Sequence, residues 1–397
     1  MMTENEVLEM LLDIKEIQID RFEVQGQSLH IHCSSVLEEA LCPQCLKKRQ
    51  VVNQTYIRDF RDLPIAGKEV YLHLNQRQFY CPEWDRHFNE RFNFVASRRK
   101  MTRRYERYVY ECCKASTIQK VSTQENLVWQ TVNEIYQHHA HQELDQRPRS
   151  KISEVGMDEF AIKKGHRHDA TVIVDLERVE IVDILEYRDQ ERLIEYFKGK
   201  GTEWCKGINV FCSDMWPGFI NTATAVFPNA TLVVDRFHFF SHLNKAVDNQ
   251  RKNLRRQFKD QDELKRLKWA LLKNAEGLTP DQKKKLDRAF ILAPPLKFIY
   301  DHKEKFRAIF NQKITRNQGE IELNQWIEEA QKMNNSYLNK FLSTLYNWKD
   351  YILNYFVHRV TTSIIEGINN SIKTVKRMGY GFRNFVNFKQ RILTSFA

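Results

Sequence analysis

The sequence predicts an α/β core that is interrupted by a long helical insertion and preceded by two small regions, one β-rich with paired cysteines and one helical. Three observations predict it. From Lys151 the apolar pattern marks three strands, then a helix, a strand, a helix and a strand. That order fits a ribonuclease-H-like core. From about 239 to 356 the chain is rich in Lys, Arg, Glu and Leu and reads as helix. In the first hundred residues, short strand-like runs surround Cys42-Pro43-Gln44-Cys45 and Cys81-Pro82-Glu83-Trp84.

In residues 1–97, Leu29–Cys33 and Val70–Leu74 have strand composition. The acidic stretch Met1 to Asp13 lacks the basic start and apolar core of a signal peptide, and no apolar run is long enough to span a bilayer. A cytoplasmic location follows as the expectation. The 8 cysteines are then expected to be reduced, buried or metal-bound rather than disulfide-paired. A net charge of +11 points to an anionic partner, nucleic acid first among them.

Residues 98–147 open on a basic run, Arg98, Arg99, Lys100, Arg103 and Arg104. Thr117 to Gln124 reads as a short amphipathic helix and Glu125-Asn126 as a turn. Val128 to Tyr136 restarts the helical period with Val128, Thr131, Val132 and Ile135 on one side. Two short helices across a tight turn match a helix-turn-helix, with Trp129, Gln130, Asn133 and Gln137 on the outer face of the second helix. The basic run would contact phosphates. Two ordinary core helices and a solvated linker are the plainer alternatives.

Pro148 marks a linker to residues 148–397. There Val155–Ile162, Ala170–Leu176 and Glu180–Tyr187 read as strands, Asp189–Lys200 as a helix and Ile208–Asp214 as a strand. Pro217–Phe227 reads as a helix and Thr231–Phe237 as a buried strand. Pro294-Pro295 breaks the helical stretch, in which Trp269, Trp326 and Trp348 read as packing anchors.

Three carboxylates stand out. Asp158 lies in the first core strand and Asp214 ends the fourth; neighbouring strands would let them converge. Glu366 follows the insertion, on a helix reading Thr362 to Lys376. Its apolar stripe is Ile365, Ile368, Ile372 and Val375, and Glu366, Asn370, Lys373 and Arg377 line the adjacent polar face. Hard oxygen ligands of this kind suit Mg²⁺ or Mn²⁺ and two-metal phosphoryl transfer. Asp235, ending the last strand, is a fourth acid that could ligate metal, pair with Arg236 or brace the site.

The segments Gly156-Met157-Asp158-Glu159, Cys212-Ser213-Asp214-Met215-Trp216-Pro217-Gly218-Phe219, Val234-Asp235-Arg236-Phe237-His238, Glu366-Gly367-Ile368-Asn369-Asn370-Ser371-Ile372-Lys373 and Gly379-Tyr380-Gly381-Phe382-Arg383-Asn384-Phe385 resemble, in order and spacing, the ISL-three type of bacterial insertion-sequence transposases. The resemblance implies a DDE catalytic domain with Asp158, Asp214 and Glu366 as the metal-binding catalytic acids. Asp235, His238, Asn370 and Lys373 would then support them, and Arg383 would contact DNA. It implies double-stranded DNA as partner, at element terminal inverted repeats and at the target, with cleavage at the ends followed by strand transfer. A homodimer is expected because two ends must be brought together, and action at the nucleoid follows. A non-catalytic regulator descended from such an enzyme, or a nuclease without strand transfer, are the alternatives. The family pattern has two cysteine-pair knuckles for Zn²⁺ in a zinc-ribbon-like region. Here Cys42, Cys45 and Cys81 match, but Trp84 stands at the fourth position and cannot ligate zinc. His87, Cys33 and His73 are the candidate substitutes, against a degenerate site with inert thiols.

Overall fold

The computed structural model describes residues 2–96, 99–147, 151–162, 169–258, 264–379, 382 and 384–396. The chain forms two compact units, Met1–Arg147 and Pro148–Ala397.

The first unit starts with helix α1 (Glu4–Leu12), whose Thr3 and Glu6 form a capping box. Strands β1 (Ile17–Gln25), β2 (Ser28–Ser35), β5 (Val52–Ile65) and β6 (Lys68–Cys81) make a sheet in the order β1-β2-β6-β5, and β7 (Arg86–Asn89) pairs with the far end of β6. The short pair β3 (Ala40–Leu41) and β4 (Lys48–Arg49) carries the first cysteine loop. Ala66 and Gly67 both have positive φ, which closes the β5–β6 hairpin with the twist of its strands. Alternation buries Leu29, Ile31 and Cys33 of β2 and Val70, Leu72 and Leu74 of β6 against Leu12, Ile17, Ile19 and Phe60. The opposite face carries stacked rings of His30, His32, Tyr71 and His73.

Helices α2 (Arg103–Ala115), α3 (Ile118–Gln124) and α4 (Trp129–Asp145) complete this unit. Thr117 caps α3 through Lys120 N, and Asn126, with φ +51°, makes the tight turn into α4. Tyr105, Val109, Tyr110, Val121, Val132, Ile135 and Tyr136 form their core. The β-rich and helical parts are joined by a buried ion pair between Asp62 of β5 and Arg104 of α2.

The second unit contains β8 (Glu154–Ala161), β9 (Asp169–Asp175), β10 (Glu180–Leu185), β11 (Val210–Ser213) and β12 (Thr231–Val234), in sheet order β10-β9-β8-β11-β12. The first three are antiparallel; β11 runs parallel to β8 and to β12. Helix α5 (Gln190–Lys200), the short α6 (Thr202–Lys206) and α7 (Pro217–Val226) provide the crossovers. Val155, Met157, Ile173, Phe197, Phe211 and Phe219 are among the residues of the core beside this sheet. Central strands buried on both faces read as near-continuous apolar runs, as VIV in β9 and VFC in β11 do.

Several boundaries differ from the sequence expectation by a few residues, and at the last strand the element type changes as well. Thr231–Phe237 is not strand throughout: β12 stops at Val234, and Asp235 N-caps helix α8 (Arg236–Gln257) through Phe237 N at 3.2 Å. An Asp at this position can satisfy an orphan helix N–H, which outweighs the β-preference of the aromatic residues behind it.

Between α8 and the C-terminal helices come α9 (Lys268–Leu272), α10 (Pro280–Leu292), α11 (Pro294–Asn311), α12 (Arg316–Lys332) and α13 (Ser336–Leu353). They share a core built on Phe239, Phe306, Phe310, Trp326, Phe341 and Phe356. Pro294 sits in the first turn of α11, where its missing N–H costs nothing. Trp326 is buried and Trp348 packs on two cores, but Trp269 is 69% exposed and anchors nothing. In α8, Arg251 is buried on Asp248 at 2.7 Å, whereas Lys252, Arg255 and Arg256 are exposed. Helices α14 (Ser363–Met378) and α15 (Phe385–Ser395) end the chain. Among the described residues no helix is long and apolar enough to cross a membrane.

Candidate active site

Asp158 points from β8, the central strand, and is hydrogen-bonded to Glu159 N at 2.8 Å and to Asn369 Nδ2 at 2.9 Å. Asp214 follows the last residue of β11 and accepts from Trp216 N at 3.1 Å. Because β8 and β11 are parallel neighbours, with Met157 paired to Ser213, Asp158 and Asp214 follow at the same end of the sheet. Burial pushes Asp158 up from 3.8 to about 6, and the negative charge of Asp214 adds to that. Burial also raises Asp214. His238, in the first turn of α8, opposes both shifts by favouring the ionised carboxylates. Two oxygens held near each other in a poorly solvated place are donors that a divalent cation would relieve of mutual repulsion.

Helix α14 is laid along β8. Ile365 lies over Gly156, Asn369 binds Asp158, and Lys376 Nζ reaches Ala161 O at 3.0 Å. From Ile365 to Lys376 the helix rises about 16 Å, and from Gly156 to Ala161 the strand rises about 16 Å. The two elements therefore run side by side in the same direction. Gly156 makes this approach feasible. A Cβ there would lie 2.6 Å from Leu176 Cδ2 and 2.7 Å from Ile365 Cδ1, both in buried side chains. Gly156→Ala is expected to cost about 1–3 kcal/mol by overpacking and to lift α14 from Asp158; thermal unfolding and divalent-metal titration of the variant would measure the two effects.

Glu366 occupies the first turn of α14 and is exposed. It lies one helical turn from Asn369, a spacing that puts Cβ atoms about 5–6 Å apart. The three acids are not drawn tightly together. Among the described residues, the only set of three or more His, Cys, Asp or Glu ligand atoms within 4.8 Å of one another is Cys42, Cys45 and Cys81. Asn370 and Lys373 are exposed and bond to each other at 3.4 Å. Asp235 is braced: its carboxylate caps α8 and accepts from the hydroxyls of Thr361, at 3.0 Å, and Thr362, just before α14. That engagement fixes the start of α14 relative to β12.

Sequence reasoning missed three residues. Asn369 is the residue of α14 that touches Asp158, and its own Oδ1 is buried without a partner. Glu159 lies beside the site; burial raises it, and Asp214 adds to that. Arg188 ion-pairs with Glu159 and with Asp169 at 3.6 Å, and lies over the Trp216 ring at 4.8 Å. It thus ties β8, β9 and the turn after β11 together at the carboxylate end.

Of the residues assigned to DNA, Trp129 and Gln130 are exposed at the start of α4 and Asn133 is half-buried. Arg103 is exposed and donates to Asn93 O at 2.8 Å. Arg99 faces Glu106 at 3.5 Å, and Arg104 is committed to Asp62 and to Leu12 O. Arg98 and Arg383 lie outside the described residues.

Residues 155–392 match a family described as a transposase, DDE_Tnp_ISL3. The chain belongs to transposase family ISL3. Residues 38–84 match the zinc-finger of transposase IS204/IS1001/IS1096/IS1165, and residues 90–140 the helix-turn-helix domain of transposase family ISL3. This ISL3 transposase is 29% identical over 378 residues to the transposase for insertion sequence element IS1001 of Bordetella parapertussis, covering 94% of this chain and 92% of the relative. It is 23% identical over 392 residues to the transposase for IS1557 of Mycobacterium tuberculosis, covering 86% and 82%. The order zinc finger, helix-turn-helix and DDE domain is thereby that expected from the sequence.

Proposed function

We propose that this transposase binds the ends of its insertion element and cuts and rejoins DNA by metal-dependent phosphoryl transfer at Asp158, Asp214 and Glu366. The catalytic fold in this reading is ribonuclease-H-like, with the helical segment between β12 and α14 as an insertion. The observation that carries the reading is the pairing of β8 with parallel β11, which sets two half-buried carboxylates side by side at one end of the sheet.

Asp158 and Asp214 offer oxygen donors suited to Mg²⁺ or Mn²⁺, and Glu366 would complete the set by a side-chain rotation from the neighbouring turn of α14. When bound, the metal would activate the attacking water or 3′-hydroxyl and stabilise the leaving oxygen. Asn369 fixes the Asp158 carboxylate. His238 supplies positive potential to both aspartates. Arg188 holds Glu159. Lys373 and Asn370, on the exposed ridge with Glu366, would meet the phosphates.

Helix α4 would enter a major groove with Trp129, Gln130 and Asn133, while Arg98 and Arg103 meet the backbone. Arg383 would add a further DNA contact. A homodimer would hold both terminal repeats, with the exposed Trp129 and Gln130 at the start of α4 turned to DNA.

Oligonucleotides carrying the element ends, given with Mg²⁺, test the reading in two steps. Nicking at the end should appear first, and pre-cut ends should then join to a target duplex. Glu366→Gln is expected to slow both steps by about a hundredfold or more, the loss of a few kcal/mol of metal-mediated stabilisation. Wild-type rates in that variant would remove Glu366 from the site. Cleavage without joining would make the protein a nuclease, and end binding without cleavage would make it a regulator.

A further inference from the structure

The cysteine cluster of the first unit has a carboxylate beside one of its sulfurs. We propose that Glu83 is the fourth ligand of a Cys42–Cys45–Cys81 zinc site, with Arg49 and Lys47 as the cations that neutralise it. The proposal rests on the zinc-finger reading of residues 38–84.

A structural zinc site takes four protein ligands. The three sulfurs lie within 4.8 Å of one another, and Cys45 Sγ is 3.4 Å from Cys81 Sγ. Glu83 Oε2 is 3.5 Å from Cys81 Sγ. With Zn–S near 2.3 Å and Zn–O near 2.1 Å, the edges of a tetrahedron are roughly 3.6–3.8 Å. The Cys45–Cys81 and Cys81–Glu83 separations are close to these edges; Glu83 lies outside the 4.8 Å set formed by the three sulfurs, and a turn of its side chain about the Cys81 contact would bring it to the others.

Trp84, at the position where a knuckle would place its second thiol, packs with Phe79 and Phe88. The ligand is displaced by one residue, from 84 to 83. The other candidates are engaged elsewhere. Cys33 is buried in β2, with its thiol directed to His73 O at 3.8 Å. His73 is bonded to His30 at 2.9 Å and to Asp59 at 2.6 Å. His87 faces Tyr80 across β6 and β7, with ring centroids 5.3 Å apart.

Charge supports the same set. Three thiolates and one carboxylate around Zn²⁺ leave two negative charges. Arg49 Nη2 lies 3.7 Å from Cys81 Sγ and 3.9 Å from Cys45 Sγ and ion-pairs with Glu83; Lys47 Nζ is 3.0 Å from Glu83 Oε1. Outer N–H donors on the ligand atoms are what a metal site uses to hold its ligands in place.

The full chain, purified and reconstituted with Zn²⁺ alone, is the material for the test. X-ray absorption at the zinc edge should report three sulfurs and one oxygen, at one zinc per chain. Glu83→Gln should weaken zinc, in competition with a chromophoric chelator, by at least the roughly 10–100-fold that loss of an outer partner costs. Trp84→Cys should tighten zinc and move the first shell to four sulfurs. The double variant Glu83→Gln/Trp84→Cys should stay tight, which shows that the glutamine itself does not unfold the region. Unchanged affinity in Glu83→Gln, or a sulfur-only or nitrogen-containing shell in the wild type, would overturn Glu83 while leaving zinc binding in place. Zinc bound by Trp84→Cys but not by the wild type would overturn the proposal and make the natural site metal-free. No zinc in either protein would sink the zinc reading itself.

Discussion

Asp158→Asn is expected to abolish DNA strand cleavage and, in the absence of divalent metal, to make the protein more stable at pH 8. The activity loss should reach about a thousandfold, the several kcal/mol carried by a metal site that has lost a ligand. The stability gain follows from burial. Asp158 is pushed up from 3.8 to about 6. A carboxylate raised in the folded state favours folding fully below the unfolded value and loses that contribution as pH rises through the folded one. Charged Asp158 is then a cost at pH 8, on the order of 2 kcal/mol. Asparagine keeps the shape and carries no charge. Asn369 can follow the change, because turning its amide would present the buried, unpartnered Oδ1 to the new NH₂ group. Thermal unfolding in EDTA from pH 4 to pH 8 reads the result. The variant should match the wild type near pH 4 and exceed it above pH 6. Adding Mg²⁺ should stabilise only the wild type. A variant that melts lower than the wild type at pH 8 would show that the carboxylate is structural.

The placement of the two aspartates was legible because alternation and element order are short-range signals that a sheet preserves. Asp158 and Asp214 each needed only a strand and a direction. Asp235 was less legible, since an aspartate after a strand and before a helix reads either as strand end or as cap; Thr361 and Thr362, far along the chain, decide it. Asn369 left a signal that could have been used. It borders the arc of Ile365, Ile368 and Ile372, about 40° beyond Ile365 at 100° per residue, and a polar residue at the margin of an apolar stripe is more informative than one on the polar face. Glu83 was hidden by the expectation that the fourth ligand would keep the spacing of a cysteine pair. Arg188 left none, because its partners come from β8, β9 and the turn after β11, and only the closed sheet brings them together. The long β5–β6 hairpin was obscure for a different reason. Much of β5 is polar and exposed, and β6 pairs in parallel with β2, some forty residues away.

Arg104→Ala is expected to destabilise the first unit by about 3–5 kcal/mol, because it strands a buried charge. Asp62 is wholly buried. Its Oδ1 accepts from Arg104 Nε at 2.8 Å and from Thr102 Oγ1 at 2.6 Å, and its Oδ2 accepts from Arg104 as well. The same guanidinium reaches Leu12 O at the end of α1. One side chain thus joins α1, β5 and α2, the helix that precedes the helix-turn-helix. In the variant, Thr102 alone would face the carboxylate. A fall in melting temperature of roughly 10 °C would follow for a unit of this size. Arg103→Ala, one position away on the exposed side, should change stability by less than about 1 kcal/mol. If Arg103 meets phosphate, its loss should weaken DNA binding for all sequences and lower the salt slope by about one. Replacing the pair together, Asp62→Leu with Arg104→Met, should recover most of the stability, since removing both charges leaves no ion unpaired. Should Arg104→Ala melt like the wild type and instead lose one unit of salt slope, Arg104 would be a phosphate contact and its bond to Asp62 incidental. The sign of the stability change therefore decides whether the basic run that opens the helix-turn-helix is wholly for DNA or partly a joint between the sheet and the helices.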